Sequence, residues 1–141
     1  MKYSKATNYA LHTILHLVAT EPEELTSVHQ LAELQKVSPT YLSKILTKLV
    51  KAGMIESTSG ANGGYRLSRR NPDPSFLDII QAIEGQASLF ECSQDHNENC
   101  LIQQVMVRAE EQMESYLGNR KMSEIASQMK DWKAGSQGTM H

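Results

Sequence analysis

The stretch Ser38-Pro39-Thr40-Tyr41-Leu42-Ser43-Lys44-Ile45-Leu46-Thr47-Lys48-Leu49-Val50-Lys51-Ala52-Gly53 decides the fold. Ser38 offers an N-cap hydroxyl and Pro39 sits at a first helical position, where its missing N–H costs nothing. Gly53 supplies the stop. Between them Leu42, Ile45, Leu46, Leu49 and Val50 recur at the i, i+3, i+4, i+7, i+8 spacing of one buried face. The outward set is Thr40, Tyr41, Ser43, Lys44, Thr47, Lys48 and Lys51, which contains no acid. Such a face meets phosphates and base edges without electrostatic conflict.

Working outward, Ser27 with Gln30 three residues on is a capping-box signature, so a short helix follows it. Gln35-Lys36-Val37 then forms the turn of a helix-turn-helix, whose second helix enters a DNA major groove. Upstream, Ala10, Leu11, Ile14, Leu17 and Val18 predict a helix of about four turns from Tyr3 to Val18, ended by Glu21-Pro22-Glu23-Glu24. Downstream, Met54-Ile55-Glu56-Ser57-Thr58 and Tyr65-Arg66-Leu67-Ser68 read as two strands. The Asn62-Gly63-Gly64 tip is expected to supply the positive φ values of a tight turn. This hairpin is a wing, with Arg66, Arg69 and Arg70 on its returning side. Residues 1–75 therefore predict a winged helix-turn-helix DNA-binding domain, and the fold class is mainly α with a small β-hairpin.

Asn71-Pro72-Asp73-Pro74 is a stiff connector, after which Ser75 caps a helix from Phe76 to Glu84 that Gly85 ends. A polar loop, 86–99, holds Cys92, Asp95, His96 and Glu98. A long helix from Cys100 to Leu117 carries Ile102, Met106, Ala109, Met113 and Tyr116 at spacings of 4, 3, 4 and 3, a heptad seam suited to dimerisation. Residues 76–133 are thus expected to form a linker helix, the cysteine loop and a dimerisation helix, with a short helix near Ser123–Lys133. Residues 134–141 are expected to be a disordered tail.

Composition narrows the function. The chain has 141 residues, with 14 Lys+Arg against 16 Asp+Glu, which excludes a large two-domain enzyme. Its net charge of −2 hides a polarity: between Lys36 and Arg70 stand seven basic residues and one acid, Glu56, the pattern of a phosphate-facing surface. No apolar run approaches the roughly 20 residues that span a bilayer. The first helix is interrupted by His12, Thr13 and His16, so the protein is expected in the cytoplasm with no membrane partner. There is no P-loop, no Gly-x-Ser-x-Gly and no His-Glu-x-x-His, and catalysis is not expected.

Several segments together resemble one family. They are Tyr3 with Tyr9-Ala10-Leu11, Val37 through Leu46, Lys51-Ala52-Gly53-Met54-Ile55, Gly63-Gly64-Tyr65-Arg66-Leu67, and Leu77-Asp78-Ile79-Ile80-Gln81-Ala82-Ile83-Glu84-Gly85. The combination, from residue 1 to about 118, looks like the Rrf-two (Rrf2) family of bacterial transcriptional regulators, of the IscR, NsrR and CymR type. The resemblance implies a homodimer of winged-helix subunits, binding to a near-palindromic double-stranded DNA operator, and usually repression. DNA contacts are then expected from Ser38, Thr40, Tyr41, Ser43, Lys44, Thr47, Lys48 and Lys51 on the helix, and from Ser59, Asn62, Gly63 and Arg66 on the wing. Ser59 stands where several members carry an arginine that reaches into the minor groove.

Many such regulators hold an iron-sulfur cluster on three cysteines. Here Cys92 matches the first and Cys100, followed by Leu101, matches the last, with no cysteine between. A cluster needs about four ligands. By the resemblance, a ligand can come from the partner's first helix, where Asn8, His12 and His16 lie at i, i+4 and i+8. His12 is the candidate for completing a two-cysteine 2Fe-2S site, with Asn8 and His96 as weaker ones. The seven residues between the cysteines equally permit a disulfide, so a metal-free thiol switch and an inert pair stay open. Structural zinc fits less well, because the short Cys-x2-Cys spacing is absent. The expected function is that of a sequence-specific DNA-binding regulator, a repressor, whose operator affinity follows an iron-sulfur cluster or the thiol state at Cys92/Cys100. The alternative is a winged-helix module that binds protein or a small ligand, without metal or redox sensing.

Overall fold

The computed structural model describes residues 3–86 and 100–139. Six helices and one hairpin follow in chain order: α1 Lys5–Val18, α2 Val28–Gln35, α3 Pro39–Lys51, β1 Ile55–Thr58, β2 Gly64–Leu67, α4 Phe76–Glu84, α5 Leu101–Gly118 and α6 Met122–Thr139. Local chemistry sets the starts. Ser27 accepts from the Gln30 backbone N–H while the Gln30 side chain accepts from the Ser27 N–H, a complete capping box. Ser38 accepts from Tyr41 N–H at 3.1 Å with Pro39 in the first turn, and Ser75 forms a second capping box with Asp78.

The turn between α2 and α3 is tight because Lys36 adopts left-handed backbone angles at φ 56°, a conformation that a side chain disfavours and that glycine usually occupies at this position. Its N–H and that of Val37 close onto Glu33 and Ala32 carbonyls. In the antiparallel hairpin, Ile55 faces Leu67, Glu56 faces Arg66, Ser57 faces Tyr65 and Thr58 faces Gly64. Thr26 adds two backbone hydrogen bonds to Tyr65, of 3.0 and 2.8 Å, which fasten the wing to the entrance of α2.

The expected turn at Asn62-Gly63-Gly64 is corrected. Asn62 and Gly63 keep negative φ, and the positive angles fall at Gly60, φ 105°, and at Gly64. The loop closes instead through Gly63 N–H onto Gly60 O at 3.0 Å. A Cβ on Gly63 would stand 2.1 Å from the Thr58 carbonyl oxygen, so that glycine is required by close approach rather than by φ.

One core joins Ala10, Ile14 and Leu17 of α1, Leu31 of α2, Leu42, Ile45, Leu46 and Leu49 of α3, Ile55 of the wing, Ile79 of α4 and Met122 of α6. The core therefore runs across the expected boundary at residue 75. Phe76 N–H donates to Arg120 O and Met122 N–H to Pro74 O, which tie the start of α4 to the start of α6. Helix α6 continues to Thr139, through residues expected to belong to a disordered tail from Ala134, while residues 140–141 of that tail lie outside the described residues. Gly135 and Gly138 mark the sequence as a poor helix former, yet propagating a formed helix is far easier than nucleating one. Among the described residues no helix is long and apolar enough to cross a membrane.

Candidate nucleic-acid interface

The acid-free face of α3 is held outward by four fully packed residues, Leu42, Ile45, Leu46 and Leu49. Thr40, Tyr41, Lys44, Thr47, Lys48 and Lys51 are exposed and Ser43 is half-buried, so the helix presents three ammonium groups and several hydroxyls on one side. Ser38 is exposed beside them and its hydroxyl oxygen is engaged as the helix cap. Thr47 Oγ1 donates back to Ser43 O at 2.9 Å, leaving its lone pairs as the outward-facing function. Tyr41 packs edge-on against Tyr9 of α1, ring centroids 5.8 Å apart, which fixes its ring and couples α3 to α1.

On the wing, Ser59 and Asn62 are exposed at the tip and Gly63 is half-buried. Arg66, expected to contact DNA, is engaged within the chain. Its Nε donates to Glu56 Oε2 at 3.2 Å across the strands, its Nη1 lies 3.8 Å from Glu23 Oε2, and its side chain is only 25% exposed. Its charge is already compensated, whereas Arg69 and Arg70 are exposed. Between the wing and the start of α2 lies a depression of about 320 Å³, lined by Ser27, Ser57, Thr58 and Ser59 among others. Ser27, Ser57 and Thr58 escape a reading of the sequence because the Thr26–Tyr65 pairing, which brings the start of α2 and the hairpin together, joins residues distant in the chain.

The candidate sensing residues lie elsewhere. Cys100 is the half-exposed N-cap residue of α5, and Cys92 and His96 fall outside the described residues. His12 and Asn8 are both exposed on α1, where the His12 Nδ1 lies 2.8 Å from the Asn8 carbonyl oxygen. Among the described residues no three His, Cys, Asp or Glu side chains gather as a metal site. Two thiolates in one chain do not by themselves meet the ligand number of a cluster. His16 is half-buried in a groove with Glu24, and burial holds its imidazole below the usual histidine range against the opposing pull of that carboxylate.

Helix α5 buries none of its residues within the chain. Ile102 is 68% and Tyr116 58% exposed, and Ala109 is exposed between them. Met106 and Met113 are half-buried instead, with Met113 Sδ accepting from the Tyr3 hydroxyl at 3.7 Å. Leu101 and Val105, at 75% and 66% exposure, complete the apolar stripe on the outward side. Spacing alone missed Val105 because 102, 105, 109 and 116 fit a heptad as well as 102, 106, 109 and 113 do.

Comparison with known proteins agrees with this architecture. The Rrf2 family profile, described as an iron-dependent transcriptional regulator, matches residues 3–128. The transcriptional regulator NsrR of Geobacillus kaustophilus is 35% identical over 102 residues, covering 72% of this chain and 69% of that protein. The structure of CymR, described as the global cysteine regulator of B. subtilis, superposes with a TM-score of 0.77 at 28% identity, over 90% of this chain and 97% of that one. An oxidized form of Staphylococcus aureus CymR superposes with a TM-score of 0.71 at 28% identity, over 89% and 96% of the respective chains.

Proposed function

Because the chain belongs to the Rrf2 family of transcriptional regulators, we propose that it binds a near-palindromic operator as a homodimer and represses transcription. The observation that carries this reading is the outward face of α3, with exposed Lys44, Lys48 and Lys51 and no acid. The lysines neutralise phosphates, which position the helix, and Thr40, Ser43 and Thr47 meet base edges, which select sequence. Ser59 and Asn62 at the wing tip approach the flanking backbone. Two such subunits meet along the outward stripe of α5, and a two-fold axis there pairs two recognition helices with two half-sites.

The switch assigned to this regulator is the state of Cys92 and Cys100. Support comes from two sides: the family profile is described as iron-dependent, and a related CymR has been crystallised in an oxidized form. A cluster bridging subunits would draw on Cys92, Cys100 and the partner's His12, with Asn8 and His96 as further donors, and would supply a redox- and iron-sensitive crosslink. The two thiols fall short of the roughly four ligands a cluster needs, and the same pair can also act alone, without metal. In that form the two thiols lose two electrons and two protons to an oxidant such as a disulfide or peroxide and join as a disulfide. Either change acts at the N-terminus of the dimer helix, and a few kcal/mol of differential operator binding suffices to change occupancy.

Fluorescence anisotropy on labelled duplexes tests the DNA reading. Log affinity should fall linearly with log salt, with a slope near −0.9 per phosphate contact. A salt-independent association with protein, and none with any duplex, would support a winged-helix module that docks on a protein instead.

A further inference from the structure

Helix α1 has no acidic residue in its first turn, so its positive end lacks a local counter-charge. The missing charge arrives from α4. Oε2 of Glu84 accepts from the Ser4 backbone N–H and from the Thr7 hydroxyl, each at 2.7 Å, across about 80 residues of sequence. Thr7 is buried, and this carboxylate is the acceptor for its hydroxyl proton. These two hydrogen bonds hold the carboxyl of Glu84 below the usual carboxylate range, and the charge of Lys48 on α3 adds to the effect.

The end of α1 that Glu84 fixes is also a junction. Tyr3, just before the helix, donates to Met113 of α5, and Tyr9, one turn in, carries the ring that meets Tyr41 on the reading face of α3. Glu84 is the last residue of α4, and the chain turns at Gly85, φ 85°, toward the segment that bears Cys92.

We propose that Glu84 is a positioning residue for operator binding: from the end of α4 it fixes the N-terminal end of α1, and through the Tyr9–Tyr41 contact it sets the attitude of the recognition helix. This rests on the reading of α3 as the DNA-reading element. Glu84 touches no DNA itself.

The test is amide hydrogen exchange on the full-length protein, combined with operator affinity. Removing a helix cap of this kind in Glu84→Ala should speed exchange about tenfold in the first turn of α1. Exchange should rise as well in α3 around Tyr41 to Lys44, and operator affinity should fall about three- to tenfold, with the wing unchanged. Glu84→Gln retains one acceptor and should give a smaller change in the same places. In a Tyr9→Leu background, Glu84→Ala should still loosen α1 but add much less at α3, because only the direct attraction between Glu84 and Lys48 then links them. Should Glu84→Ala raise exchange through the whole core, Glu84→Gln carries the comparison. Faster exchange confined to α1, with α3 and operator affinity unchanged, overturns the proposal. So does an equal effect on α3 with and without Tyr9. If the parent protein binds no duplex, the DNA reading fails, and the exchange pattern alone still decides the role of Glu84.

Discussion

Arg66 and Glu56 face each other across the wing, and the guanidinium Nε donates to the carboxylate at 3.2 Å. Glu23 approaches the same guanidinium from the loop after α1. The basic side of the hairpin thus uses one of its arginines to fasten the wing to the domain, and the proposed phosphate contacts fall to groups that project from α3 and the wing tip.

Charge reversal on the two elements should therefore differ. Lys48→Glu places an acid on the reading face, off the apolar side, and should weaken binding to every duplex by tenfold or more while leaving the thermal midpoint nearly unchanged. Arg66→Ala should weaken binding less and should lower stability slightly, by up to about 1 kcal/mol, as expected for a partly exposed ion pair. Parallel titrations and melts check this. Equal loss of binding in both variants would return Arg66 to the DNA surface.

The outward stripe of α5 makes a second prediction. Ala109→Glu puts like charges face to face at the centre of the proposed interface, between Ile102 and Tyr116. Sedimentation should report a monomer, and operator affinity should fall by orders of magnitude because two half-sites are no longer read together. Val105→Glu should do the same, whereas Met113→Glu, on the side facing Tyr3, should act more on the chain's own packing. A dimer that survives both Ala109→Glu and Val105→Glu moves the interface elsewhere.

At the cysteines, Cys92→Ser and Cys100→Ser should each abolish the response of operator binding to oxidant, iron loss or nitric oxide. His12→Ala should abolish it only where a cluster is present. Visible absorption with iron and sulfide content, on protein purified without oxygen, separates the two chemistries. A double cysteine variant that still responds to all three signals as the parent does excludes sensing at this pair.

The pH dependence of stability carries a definite sign. Burial lowers the His16 proton affinity in the folded chain relative to the ordinary value of 6.5. The unfolded chain then binds the proton first, so the contribution of His16 is complete above pH 6.5 and is lost as pH falls from there toward the folded value. The thermal midpoint should drop on acidification in this window, and His16→Gln should flatten the drop. Identical slopes in parent and variant would assign the pH dependence to other groups. Glu84 adds a loss at lower pH, once its depressed carboxyl takes up a proton.

Much of this architecture was legible in the sequence wherever the signal was local. Ser27 with Gln30, Ser38 with Pro39 and Ser75 before Phe76 each mark a helix start by capping chemistry within one turn. The apolar spacing of α3 marks both its core and its exposed, acid-free face. What escaped depends on distant contacts: Glu56 and Glu23 capturing Arg66, Glu84 capping α1 from 80 residues away, and Met113 turned toward Tyr3 while Val105 faces out. Lys36 shows the opposite limit. Its left-handed conformation ends α2, with the Lys36 and Val37 N–H groups closing onto the Glu33 and Ala32 carbonyls, and nothing in a lysine announces it.

The central claim is that the acid-free face of α3 reads DNA sequence from a two-fold dimer. Selection of duplexes from a random pool by the parent protein and by Lys48→Glu, at one fixed salt concentration, tests it most directly. The parent should enrich a near-palindromic motif with two half-sites about one helical turn or more apart, and Lys48→Glu should enrich none. No enriched motif with the parent, or the same motif recovered equally well by Lys48→Glu, would contradict the claim.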